Sequence, residues 1–220
     1  MKKLLYPLGV LVMATAAHAA DVKRSAVVAN PWEGTYFGLN LGAGALHAEA
    51  PVLYGIRVTG VEGDGRGVLG GVQGGLNFSS GDLVLGVEAD ASVAKLSGDK
   101  TYYLTYQGNA ITAKLTSSLK GFATVRARVG ATLDRDTLLY ATGGLAFGHF
   151  EQKINVSSVG SDSSSKLATG YALGVGIERS LGSGWSFKGE YLFAGFEKTY
   201  ELSTVNNKLN IFRLGLNVKL

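Results

Sequence analysis

The chain has 220 residues, no cysteine and a formal net charge of +4. Charged residues are 17% and hydrophobic ones 46%, with a mean hydropathy of +0.16, which argues against intrinsic disorder and suits one domain. The lack of cysteine excludes disulfides, thiol nucleophiles and cysteine-held metal clusters, and three histidines leave few parts for metal or triad chemistry.

The chain opens with a positive Lys2-Lys3 pair, and a mostly apolar stretch from Leu4 to Ala17 follows. Ala17-His18-Ala19 then has the small-x-small form of a cleavage site, so residues 1–19 read as a secretory signal peptide removed after Ala19. The apolar stretch is shorter than the roughly 20 residues that a membrane-spanning helix needs. Losing two lysines lowers the net charge to +2 (19 basic minus 17 acidic), so the sequence pI near 9.2 gives no ground for a nucleic-acid partner. Residues 20–34 read as a short lead-in, with Asp21 to Pro31 unstructured.

From there the dominant signal is alternation with period two, which marks strands with two unlike faces. In the segment 83–93, Leu83, Leu85, Val87, Ala89, Ala91 and Val93 share one face, while Val84, Gly86, Glu88, Asp90 and Ser92 fall on the other. The closing segment repeats this, with Phe212, Leu214, Leu216, Val218 and Leu220 against Arg213, Gly215, Asn217 and Lys219. Eight strands are predicted, at about 35–49, 66–78, 83–94, 114–133, 137–151, 166–180, 185–196 and 208–220. Short turns at 79–82, 134–136 and 181–184 alternate with long polar connections at 50–65, 95–113, 152–165 and 197–207.

Long connections all at one end are the mark of an outer-membrane barrel with short periplasmic turns and long outer loops. A soluble lipocalin-like barrel would reverse the faces. That would place Glu88, Asp90, Arg126, Arg128, Glu190 and Arg213 outside, among the glycines and alanines of the same face, a poor soluble exterior. The predicted fold is therefore all-β: an eight-stranded antiparallel transmembrane β-barrel, an up-and-down meander over 35–220, in the cell outer membrane.

The polar faces then converge inside the barrel. They bring four acids (Glu88, Asp90, Glu178, Glu190) together with six bases (Lys120, Arg126, Arg128, Lys188, Arg213, Lys219). Eight strands enclose only enough width for side chains to fill, and buried charges there must pair. Glu88 and Asp90 are expected to face Arg126 and Arg128, and Glu190 to face Arg213, as a structural polar core that plugs the lumen. Two carboxylates two residues apart beside two arginines read as ion-pair partners rather than as an acid–base couple.

Aromatic residues near strand ends (Trp32, Tyr36, Phe78, Trp185, Tyr191, Phe193 and Phe212) are expected at the membrane interface. His47 and His149 fall near the loop-side ends of two strands, with Glu151 on the face of His149, too little for a lipid hydrolase, haem or metal site. The run from Ser157 to Ser165 reads as a solvated loop. Tyr102, Tyr103 and Tyr106 are the candidate contact patch for a host or environmental ligand at the outer loops. The Gly63-Asp64-Gly65-Arg66-Gly67 run does not match a phosphate-binding fingerprint.

Several motifs in order resemble a known family. They are Trp32-Glu33-Gly34-Thr35-Tyr36-Phe37-Gly38-Leu39-Asn40, Gly86-Val87-Glu88-Ala89-Asp90, Val125-Arg126-Ala127-Arg128-Val129-Gly130, Leu139 to Ala146, Lys188-Gly189-Glu190-Tyr191 and Arg213-Leu214-Gly215-Leu216-Asn217. Together they resemble the small alphaproteobacterial outer-membrane proteins of the opacity, or Omp25/Omp31-like, porin family. The resemblance implies an eight-stranded barrel without a cofactor, surrounded by outer-membrane lipid and lipopolysaccharide. It also implies insertion by the outer-membrane assembly machinery, which reads a C-terminal strand of alternating apolar residues ending in an aromatic. Gly215, Val218 and Leu220 hold the place of that signal, with Leu220 standing where the aromatic is expected.

The function expected from the sequence is non-enzymatic, with no catalytic, metal or cofactor site: envelope integrity and surface display by a barrel with a charge-plugged lumen. The alternatives are a small diffusion porin, and an adhesin or ligand-binding surface protein acting through its outer loops.

Overall fold

In a computed structural model, residues 30–49, 62–106, 109–156, 160–200 and 203–220 are described. Eight strands run in chain order: β1 (Gly34–Glu49), β2 (Glu62–Ser80), β3 (Leu83–Tyr106), β4 (Asn109–Asp134), β5 (Thr137–Val156), β6 (Gly160–Gly182), β7 (Trp185–Tyr200) and β8 (Ser203–Lys219). Each pairs antiparallel with its sequence neighbours, and β1 pairs with β8 to close the barrel. The predicted eight-stranded meander is therefore the observed fold. Closure removes the edge strands that an open sheet would leave unpaired.

Asn30, where the described residues begin, Leu220 and the short turns lie at one end of the tube. The Ser80–Leu83 turn uses Gly81 at φ 60°, and the β6–β7 turn uses Gly182, Ser183 and Gly184, all at positive φ, which favours glycine. At the opposite end the structure corrects the expected long loops. The spans 95–113, 152–165 and 197–207 are largely strand, with ladder pairs from Leu96↔Leu119 to Tyr106↔Asn109 and from Glu151↔Ser165 to Val156↔Gly160. A polar composition that reads as loop thus still pairs as hairpin. Residues 50–61, 107–108, 157–159 and 201–202 of the expected connections lie outside the described residues.

Away from the register shifts, alternation settles which way the described wall residues face. Leu39, Leu41, Val93, Leu173, Val175, Phe212 and Leu214 point outward and are more than half exposed, whereas Gln73, Glu88, Arg126, Lys188 and Arg213 point inward and are buried. Polar inside and apolar outside is the inverse of a soluble barrel and the pattern of a membrane one. Two register shifts sit at one height, between Val93 and Leu96 against β4 and between Leu119 and Gly121 against β5.

Candidate functional site in the barrel lumen

Three layers follow one another along the inward positions. At the end with the short turns, Trp32, Val84, Leu138 and Tyr140 form a small apolar cluster. Next comes a layer of buried charge. Beyond it, toward the long hairpins, Leu46, Leu69, Leu96, Leu119, Phe122, Phe150, Leu192, Phe196, Leu209 and Ile211 form an apolar cluster. Phe196 meets Phe122 and Phe150 edge-on, with centroids 6.5 and 5.3 Å away, a favoured aromatic geometry.

The charged layer centres on Arg126. Its guanidinium donates to Glu88 (2.5 Å), to Glu190 and Thr142 (2.7 Å each) and to Asp90 (3.4 Å). Arg213 donates to Asp90 at 2.9 Å and to Glu190 through Nε at 3.0 Å, and its Nη2 closes a second bond to Glu190. Lys188 reaches across the lumen to Glu88 at 2.7 Å, and the Tyr36 hydroxyl donates to the same carboxylate at 2.6 Å. Arg128 takes a separate partner, Glu178, and its guanidinium lies over the Tyr140 ring, 3.8 Å from the centroid. Glu178 also accepts from Ser186 (2.5 Å) and Asn217 (2.8 Å).

These side chains are shut off from solvent, with exposures of 0–5%. Packing at the wall makes the room. A Cβ built on Gly174 would stand 2.7 Å from Thr142 Oγ1 and 3.2 Å from Arg126 Nη1, so glycine there gives the central guanidinium its space. Each carboxylate accepts from more than one donor, the condition under which buried ion pairs repay their desolvation.

The structure thus brings together Glu88, Asp90, Arg126, Lys188, Glu190 and Arg213, with Glu178 and Arg128 as an adjoining pair. It corrects the expected pairing of Arg128 with Glu88 or Asp90. The register sets Glu88 opposite Arg126 but Gly86 opposite Arg128, and Arg128 crosses to β6 instead. It also removes Lys120 from the lumen. The shift between Leu119 and Gly121 inserts Lys120 as an extra residue in β4, and a bulge re-aims a side chain. Lys120 is 49% exposed and pairs with Glu151 at 3.6 Å. Lys219, also expected inside, lies at the periplasmic mouth and donates to the Asn30 carbonyl at 3.0 Å. Without these two lysines the layer holds, among the described residues, four acids and four bases, so its formal charge is zero.

Two interface aromatics are corrected as well. Tyr36 and Trp32 are buried inside the barrel, Trp32 at the mouth, where Asn30 holds its backbone N–H at 3.0 Å. The expected lead-in is therefore ordered at least from Asn30, and Asp21 to Ala29 lie outside the described residues. Gly215 faces the lumen beside Lys188 and Gln73, and Val218 pairs with Phe37 and Trp185 at the end of the last strand. Leu220 is exposed just beyond that strand. The backbone of Tyr102, Tyr103 and Tyr106 continues β3, but their side chains lie outside the described residues.

His149 points outward at the hairpin end, and its Nε2 is 2.9 Å from Ser165 Oγ. Among the described residues, no cluster of three or more His, Asp or Glu is arranged to hold a metal ion.

Comparison with known proteins sets this geometry in a family. The model of the outer membrane protein beta-barrel domain matches residues 8–219. This chain belongs to that family. It is 30% identical to the 31 kDa outer-membrane immunogenic protein of Brucella melitensis over the whole of both chains. It is 31% identical to the 22 kDa outer membrane protein of Rhizobium leguminosarum bv. viciae, over 87% of this chain and 79% of that one. Among solved structures, Neisserial surface protein A aligns at 13% identity and a TM-score of 0.46, over 86% of this chain and all of that one. The barrel is an outer-membrane protein of the Omp25/Omp31 type, and the resemblance read from its motifs holds.

The apolar layer escapes a reading of the sequence. Parity does place its residues inside, Leu192 with Glu190 and Leu209 and Ile211 with Arg213, but it does not show that they meet; the register gathers them into one layer with Leu119 and Phe122.

Proposed function

We propose that this outer-membrane barrel is a closed, non-enzymatic structural element of the envelope, exported with residues 1–19 removed after Ala19. The observation that carries the reading is the filled lumen: a neutral ion-pair layer backed by an apolar layer, with Trp32 at the periplasmic mouth. An ion crossing it would have to shed its water against Leu and Phe side chains and break pairs that have no solvent to replace them. The reading also includes surface display. The hairpins beyond the bilayer, including Tyr102, Tyr103 and Tyr106, are the part open to a ligand or a host, and relatives carry the name immunogenic proteins. Its partners in this reading are the assembly machinery acting on the strand that ends at Leu220, the lipids of the membrane, and lipopolysaccharide in the outer leaflet.

The test is single-channel conductance of the refolded protein in planar bilayers, with heat-modifiable gel mobility as the measure of folding. The expected result is a folded barrel with no steps. Stable ohmic steps from the folded species would overturn the closed lumen in favour of a small diffusion channel.

A further inference from the structure

The outer surface of the wall carries one feature that the lumen does not explain. On β3 the outward positions from Leu83 to Val93 are all apolar, and the next outward residue is the exposed Lys95. On β5 the outward residues from Leu139 to Phe147 are apolar, His149 follows, and Glu151 comes next. A strand needs about 9–11 residues to cross the hydrocarbon core, so Lys95 and Glu151 mark its outer boundary. Between them, on β4, the bulge turns Lys120 outward at the same level.

Directly below Lys120 the wall is dented. Gly121 has no side chain there, and Ala91, Val93, Ala123, Phe147, His149 and Leu167 surround a groove of about 350 Å³, almost wholly apolar. The rim is charged: Lys95 and Lys120 stand on neighbouring strands, with Glu151 as the carboxylate beside Lys120 and His149 held by Ser165. One carboxylate against two ammonium groups leaves the rim net positive. An apolar slot opening into hydrocarbon under a cationic rim at headgroup height complements an acyl chain joined to a phosphate.

We infer that the groove at Gly121, under Lys95 and Lys120, seats an acyl chain of a phosphorylated glycolipid of the outer leaflet, lipid A, whose phosphate meets the two lysines. The inference rests on the proposed lipopolysaccharide partner and gives it an address on the wall. The acyl chain supplies depth, and the phosphate supplies selectivity over neutral lipids. Lysine suits the role because its ammonium is a flexible point charge on an apolar stem that extends along the wall to the headgroups.

The test uses the full-length refolded barrel in mixed micelles, with retained lipid counted by native mass spectrometry. The probes are lipid A, dephosphorylated lipid A and phosphatidylglycerol. Lysines near an anionic surface each contribute a several-fold preference, so Lys95→Gln with Lys120→Gln is expected to cut lipid A retention roughly 10-fold or more. Gly121→Val fills the groove and is expected to cut retention with the charges intact. A Cβ at Gly121 would stand 3.5 Å from the His149 Cβ, an ordinary contact, so this variant keeps the fold. Lys208→Gln, exposed on β8 across the barrel from the groove, is the control for loss of a positive charge elsewhere and is expected to retain lipid A as wild type does. Wild-type retention by the double variant, or an equal loss in Lys208→Gln, would overturn the site. Equal retention of phosphatidylglycerol or of dephosphorylated lipid A would overturn the choice of lipid. Channel activity in bilayers would sink the closed lumen but leave this inference standing, because lipid is read on the outside of the wall.

Discussion

Two adjacent layers of the lumen solve the same packing problem with opposite chemistry. Around Arg126 the tube is filled by ion pairs, whose worth depends on every partner being present. Around Phe196 and Leu119 it is filled by apolar side chains, which need no particular partner and lose stability in proportion to the volume removed. The contrast teaches what each layer is for. An apolar stopper closes a tube at little risk, whereas a buried ion-pair layer is often no more stabilising than apolar residues of the same volume and is costly once broken. We expect the charged layer to contribute register more than net stability: Arg126 on β4 must meet β3 and β7 at one height for Glu88, Asp90 and Glu190 all to be satisfied.

The sharpest way to break this contrast is Arg126→Ala, which leaves three buried carboxylates short of a donor. We expect a loss of about 3–5 kcal/mol in unfolding free energy, read by urea titration in micelles. Leu119→Ala removes apolar volume in the other layer and is expected to cost about 3 kcal/mol. A charged-layer loss no larger than this would remove the partner-dependent character of that layer. Arg128→Met alone strands Glu178, while Arg128→Met with Glu178→Gln removes both charges. The double variant is expected to be more stable than the single by about 1–2 kcal/mol, and equal midpoints would show that Glu178 is content with Ser186 and Asn217.

The smaller effects lie outside both layers. Leu220→Phe restores the aromatic of the assembly signal and is expected to yield at least as much heat-modifiable, membrane-inserted protein as wild type; a clear fall in yield would count against that role. Asp134 sits at the exposed β4–β5 turn, where the Asp136 N–H and the Thr137 hydroxyl hold its carboxyl below the usual range. Because that environment is open to water, Asp134→Asn is expected to leave the urea midpoint unchanged.

Much of this is legible without coordinates, for identifiable reasons. In β3 and β8, alternation is clear because one face meets lipid and the other meets mostly polar side chains, so facing follows from residues 83–93 and 212–220, and the strand count from the eight segments that share this pattern. Lys120 misleads because a bulge adds one residue without changing composition, and from there outward the parity of a strand cannot be counted from its inner half. Trp32 misleads because interface and lumen both suit an aromatic ring at a strand end, and only the folding-back of Asn30 to Glu33 across the mouth separates them.

What the sequence by itself determined is the tube: eight strands, their order, which face is apolar, and all of the lumen charges but for two lysines, Lys120 and Lys219, that it wrongly counted among them. These depend on local periodicity and on the rule that buried charge must be paired. Only the tertiary structure decided which acid meets which base, that the charged layer is neutral, and that an apolar layer closes the tube above it. Those choices depend on the stagger between strands far apart in sequence, as where Lys188 reaches Glu88 a hundred residues away. The physical reason is that alternation is a property of one strand, whereas register is a property of two, and the lumen is built by all eight at once.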